Sequence, residues 1–119
     1  MGFAGWKNLR TMRLSGQPSN HKEKLALEMA IMMVEFYFDG CHSLKEKRSR
    51  LGGLRDRFGK LHNVALVECG YQDDHRRSQW GFVALATDRV GVEKTLAQIE
   101  TRLEHEVDGR VADSTIEWL

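Results

Sequence analysis

Four stretches of the chain carry the composition and spacing of strands, and two carry the three-to-four-residue apolar period of helices. The first, residues 27–38 (LEMAIMMVEFYF), sets Val34, Phe36 and Phe38 on one side and Glu35 and Tyr37 on the other, so the first side is core. Asp39-Gly40 breaks it. Ser43 then stands three residues before Glu46, the capping-box spacing that satisfies orphan amides at a helix start. Leu44, Leu51, Leu54, Phe58 and Leu61 fall in one stripe roughly 100° wide, which predicts a single helix running to residue 61. Residues 62–69 (HNVALVEC) form a second strand, apolar on both sides, as a covered or central strand would be. The polar stretch 70–76 is short enough to predict an antiparallel return into a third strand, residues 77–86 (RSQWGFVALA). Asp88 caps a second helix whose buried stripe is Val92, Leu96, Ile99 and Leu103, with Glu93, Glu100, Glu104 and Glu106 outward, and Asp108-Gly109 ends it. Residues 111–119 make a last strand with Ala112, Ser114, Ile116 and Trp118 on one side.

The order is β-α-β-β-α-β. It predicts an α+β, ferredoxin-like two-layer sandwich, a four-stranded antiparallel sheet with two helices on one face. A chain of 119 residues supports one such core. The patterned domain covers residues 29–119. Residues 1–28 lack sustained periodicity and read as a basic, disordered arm; Met29, Met32 and Met33 are alternative starts for the domain.

Composition changes this picture little, and charge distribution changes it more. The formal net charge of +1 implies no polyanion partner by itself. Residues 1–27, however, hold Lys7, Arg10, Arg13, Lys22 and Lys24 against Glu23 alone, so a basic arm precedes a mildly acidic body. Two cysteines, Cys41 and Cys69, form no Cys-x-x-Cys pair, no apolar run approaches the roughly 18 residues of a membrane span, and no signal peptide opens the chain. A cytoplasmic protein without a membrane partner is expected.

Val34-Glu35-Phe36, His42-Ser43-Leu44-Lys45-Glu46-Lys47-Arg48-Ser49, Asn63-Val64 followed by Glu68, Gln72-Asp73, Arg77, Gly81 and Asp88-Arg89 stand together in one order. In that order and spacing the chain resembles the YlxP-like family, a bacterial domain of unknown function, over about residues 30–119. The resemblance implies a ferredoxin-like fold and a bacterial setting in which the gene often lies among translation and ribosome-maturation genes. The chain departs from the family at His75, where a tryptophan is common, and at Gly70 and Tyr71, where acidic residues are common.

Candidate chemistry centres on residues 42–60, where Lys45, Lys47, Arg48, Arg50, Arg55, Arg57 and Lys60 face only Glu46 and Asp56. Either this is a solvated helix face, or Lys45, Arg48, Arg50, Arg55, Arg57 and Lys60 contact the phosphates of ribosomal or other RNA. Trp80-Gly81-Phe82-Val83-x-Leu85 resembles the core of the RNA-recognition-motif signature, without its leading basic residue and glycine. If Trp80 and Phe82 face away from the helices they join Tyr37 as a base-stacking platform; if toward them, they are core. Lys47 falls inside the apolar stripe, so it either pairs with Glu68 at the end of the second strand or extends its amine past the sheet edge to water. Cys41, His42, Cys69 and His75 lack metal-ligand spacing, and neither a phosphate-cradling glycine loop nor a nucleophile triad is present. No cofactor, metal or catalytic residue is assigned. The expected function is a non-enzymatic RNA- or ribosome-associated module. The alternatives are a homodimer or larger self-assembly that buries an open sheet face with Tyr37, Val67 and Phe82, and, third, an enzyme.

Overall fold

A computed structural model describes residues 25–119, so the expected arm lies outside the described residues except for its last four positions. Its elements are β1 (Glu28–Tyr37), α1 (Leu44–Leu51), α2 (Leu54–Phe58), β2 (Val64–Gly70), β3 (Arg77–Ala86), α3 (Arg89–Glu106) and β4 (Arg110–Trp118). The sheet runs β2-β3-β1-β4 with every neighbouring pair antiparallel, the ferredoxin-like order. β1 and β3 pair over their whole length from Glu28–Ala86 to Tyr37–Arg77.

The helices cover one face only. Ala30, Met32, Val34 and Phe36 of β1, with Phe38 just beyond it, meet Val92, Leu96, Ile99 and Leu103 of α3, Leu51 of α1, and Leu54 and Phe58 of α2 in one buried cluster. Both expected N-caps are in place: Ser43 Oγ accepts from the Glu46 amide at 3.0 Å, and Asp88 Oδ1 accepts from the Gly91 amide at 2.6 Å. The return bond of the capping box comes one residue early, from the His42 amide to Glu46 Oε1 at 3.3 Å.

The single helix expected to reach residue 61 is two helices. Gly52 and Gly53 both take the left-handed backbone conformation, at φ 63° and 72°, so the helix cannot pass through them. The Gly52 amide instead bonds back to the carbonyls of Arg48 and Ser49, and α2 restarts over β2. Space around Gly53 is open, so Gly53→Ala tests conformation alone. It is expected to cost about 1 kcal/mol in urea unfolding, as a side chain in the left-handed region does; a neutral substitution would contradict the backbone assignment.

Three further readings are corrected. β2 is an edge strand with Ala65, Val67 and Cys69 exposed, not the covered or central strand its two apolar sides suggest. On β3 the inward set is Ser78, Trp80, Phe82 and Ala84, because Trp80 and Phe82 lie opposite the buried Val34 and Met32. Trp80 is 4% exposed and Phe82 fully buried, so neither belongs to a stacking platform or to an open-face interface. The aromatic rings take the helix side because it is the side that buries them, while Gln79, Gly81, Val83 and Leu85 face out. On β4 the register shifts beside Glu35/Phe36, and Ala112 has no partner on β1. Val111, Ser114, Ile116 and Trp118 lie opposite the inward residues of β1; Ala112 is the bulge, not part of that row.

Candidate functional site

Lys47 is the side chain on which the octamer of residues 42–49 and the loop after β2 converge. It is 3% exposed, one helical turn before the buried Leu51. Its ammonium reaches the β2–β3 connection and donates to the backbone carbonyls of Asp74 (2.8 Å), Tyr71 (2.9 Å) and Arg77 (3.0 Å), with Gln72 O at 3.4 Å. Glu68 Oε2 stands 3.5 Å from the same nitrogen. That carboxylate also accepts from Ser78 Oγ at 2.7 Å, and Ser78 Oγ in turn accepts from the Trp80 indole N–H at 2.8 Å. A line of polar groups thus runs from the indole inside the core to the ammonium, and each buried donor has an acceptor. The loop carbonyls and Ser78 were not among the residues singled out from sequence. Ser78 carries a legible signal, its two-residue spacing from Trp80 on one strand face; carbonyls carry none.

The remaining basic residues divide into two groups. Arg50 is committed within the fold, donating to Glu46 at 2.7 Å and to the Asp39 carbonyl at 2.7 Å. Arg57 is half-buried and bonds Glu106 of α3 at 2.7 Å, joining α2 to the other helix. The side chains of Lys45, Arg48, Arg55 and Lys60 are exposed and form no hydrogen bond or ion pair with another described residue. Lys45 and Arg48 share a face of α1 by their three-residue spacing, while Arg55 lies over the rim of the buried Trp80, its guanidinium carbon 5.8 Å from the ring centroid. Tyr37 is on the open sheet face, half-buried, with the Arg110 guanidinium 5.0 Å over its ring. The structure thus brings Lys47 to Glu68 and leaves four cations outward, and it separates Tyr37 from Trp80 and Phe82 by the thickness of the sheet.

The model of the family described as a protein of unknown function, DUF503, matches residues 29–116. The chain belongs to this family. It is also similar to the Uncharacterized protein YlxP of Bacillus subtilis (strain 168), with 40% identity over 57 residues, 48% of this chain and 62% of that protein. The aligned stretch therefore spans less than two thirds of the curated relative. Among solved structures the chain is similar to the de novo designed protein Ferredog-Diesel, at 10% identity and a TM-score of 0.46, over 90% of this chain and 99% of that one. So loose a likeness carries no argument, and the architecture of this DUF503 domain rests on its own strand order.

Glu46 titrates below the ordinary carboxylate range, chiefly because the His42 amide donates to it, with Arg50 assisting. Glu106 is lowered mainly by its hydrogen bond from Arg102. Burial pushes the Cys69 thiol up, which makes it a poorer nucleophile at neutral pH. Cys41 is buried on the helix side and Cys69 lies on the opposite face beside Met33, so the sheet keeps the two thiols apart. Among the described residues no group of three or more His, Cys, Asp or Glu is placed to hold a metal ion. No helix among them is long and apolar enough to cross a membrane.

Proposed function

We propose that this domain is a non-enzymatic module that binds structured RNA, including ribosomal RNA, through the outward surface of α1 and α2. The observation that carries the reading is the division just described: within one basic segment Lys47, Arg50 and Arg57 are tied into the fold by ion pairs, whereas the side chains of Lys45, Arg48, Arg55 and Lys60 are exposed and form no ion pair or hydrogen bond with another described residue, Arg55 touching only the Trp80 ring. Cations that the fold does not use keep their charge available for phosphates, and each contact made releases counterions. The left-handed turn at Gly52 and Gly53 lies between the two cation pairs and carries no side chain, so a sugar-phosphate backbone can approach the protein main chain there. This surface reads charge and shape and not base identity. With Trp80 and Phe82 in the core, base stacking has no part in it.

Binding to ribosomal RNA, titrated by filter retention from low to high salt, should give a slope of log K against log salt of about −3.6, as four phosphate contacts on a duplex imply. Arg48→Glu combined with Arg55→Glu should weaken binding at least about tenfold at low salt and flatten that slope by roughly two. Both positions are exposed, so the circular dichroism spectrum should not change. Affinity that ignores salt, or a charge-reversed protein that binds as tightly as the parent, would sink the proposal.

A further inference from the structure

We infer that the uncovered face of the sheet is the interface of a homodimer, with a second copy of this chain packed against it. The residues facing away from the helices form opposed pairs on β3 and β1: Leu85–Met29, Val83–Ile31, Gly81–Met33, Gln79–Glu35 and Arg77–Tyr37. Ala65 and Val67 of β2 extend the second and third of these rows, and Cys69 continues the same side of the strand. The second and third rows are therefore apolar from β2 to β1 and the first is apolar on β3 and β1, in a sheet whose other face is sealed by helices. Val67 stays 53% exposed and Leu85 40% exposed, a level of apolar exposure that soluble monomers seldom keep over a contiguous block.

Three features favour a copy of the chain over another occupant. The first is polarity: the apolar block contains no cation, so it offers a polyanion nothing, and the charges that edge it have both signs, Glu35, Asp113 and Glu117 with Arg77 and Arg110. The second is relief. Gly81 leaves a hollow at the centre of the block, where an added Cβ would meet Met33 Sδ at 3.4 Å and Cys69 Sγ at 3.9 Å, while Leu85 and Val67 project beside it. One surface thus carries both the projections and the recess that an isologous contact requires. The third is size. The whole open face, with β4 and the two polar rows counted beside the apolar block, is four strands about 4.8 Å apart by five rows roughly 6.8 Å apart, somewhat over 500 Å². Doubled, this is on the order of 1,100 Å², above the threshold of a specific interface. Because the helices lie on the far side, pairing leaves Lys45, Arg48, Arg55 and Lys60 uncovered, so dimerisation and RNA binding are independent claims.

Sedimentation equilibrium of the full chain at concentrations up to roughly 100 µM should give twice the 13.7 kDa chain mass. Val67→Glu with Leu85→Glu, which adds two carboxylates to the block at exposed positions, should return the mass to 13.7 kDa with the far-ultraviolet spectrum unchanged. A second measurement needs no variant: alkylation of Cys69 by a bulky maleimide should slow at least about fivefold as the protein is concentrated, with Cys41 buried throughout. A chain that stays monomeric, with Cys69 modified at one rate at all concentrations, would overturn the inference and leave the face to a different protein. A dimer that survives the double substitution while Cys69 stays reactive would overturn it as well, by placing the contact elsewhere.

Discussion

Lys47→Ala should lower the free energy of unfolding by about 3–5 kcal/mol, the range found when one partner of a buried ion pair is removed. The loss has several parts that act together. The carbonyls of Tyr71, Gln72, Asp74 and Arg77 lose the ammonium as a donor, Tyr71 O keeping its bond from the Asp74 amide, and an unpaired buried acceptor costs about 1–3 kcal/mol before water relieves it. Glu68, at 19% exposure, keeps its bond from Ser78 but loses the compensating charge. Because a domain of this size has only about 5–15 kcal/mol in hand, the variant should sit close to unfolding at growth temperature. Urea titration followed by circular dichroism measures the change. Glu68→Gln is the informative companion: it removes the charge and retains the carbonyl bonds, so its cost should be nearer 1–2 kcal/mol. A loss under about 1 kcal/mol for Lys47→Ala would mean that the amine is solvated, as the snorkelling alternative has it.

The second large effect belongs to Trp80. Trp80→Ala should cost about 3–5 kcal/mol, because the ring is enclosed by the core and its removal leaves a cavity. Trp80→Phe keeps most of the apolar volume but drops the indole N–H that Ser78 accepts, and should cost about 1–2 kcal/mol. The two variants also separate stability from recognition. A ring stacked on a base contributes about 1–3 kcal/mol to binding, so its loss would weaken RNA affinity several-fold or more. For the buried Trp80, the affinity of the folded Trp80→Phe protein should stay within about twofold of the parent, measured in the same filter assay. Weaker binding at unchanged stability would return Trp80 to the interface.

What the sequence made legible follows a physical division. The element order, both N-caps and the stripe of α3 depend on local chemistry and periodicity, and they are seen at Ser43, Asp88, Val92, Leu96, Ile99 and Leu103. The anomaly of a lysine inside an apolar stripe was also visible, because a charge at a core position demands a partner. The break between α1 and α2 was not, since the apolar period continues through it and two glycines signal weakness without saying which conformation they adopt. The facing of β3 was ambiguous for a related reason. Trp80 and Phe82 alternate with Val83 and Leu85, so both faces offer apolar residues, and only the pairing with Val34 and Met32 of β1 decides between them. The bulge at Ala112 likewise exists only relative to β1.

That break between α1 and α2 also has a consequence for the order in which the chain assembles. At eight and five residues the two helices are well under the roughly 12–15 that hold a helix together in water, whereas α3 has eighteen. Neither short helix has a means of persisting ahead of the sheet it lies on. The folding nucleus is therefore expected in β1, β3 and α3, with loop closure as the slow event: Met32 must find Phe82 and Ile116, far along the chain, before α1 and α2 have a surface on which to form. The octamer that marks the chain in sequence is thus expected to be among the last parts of it to become structured.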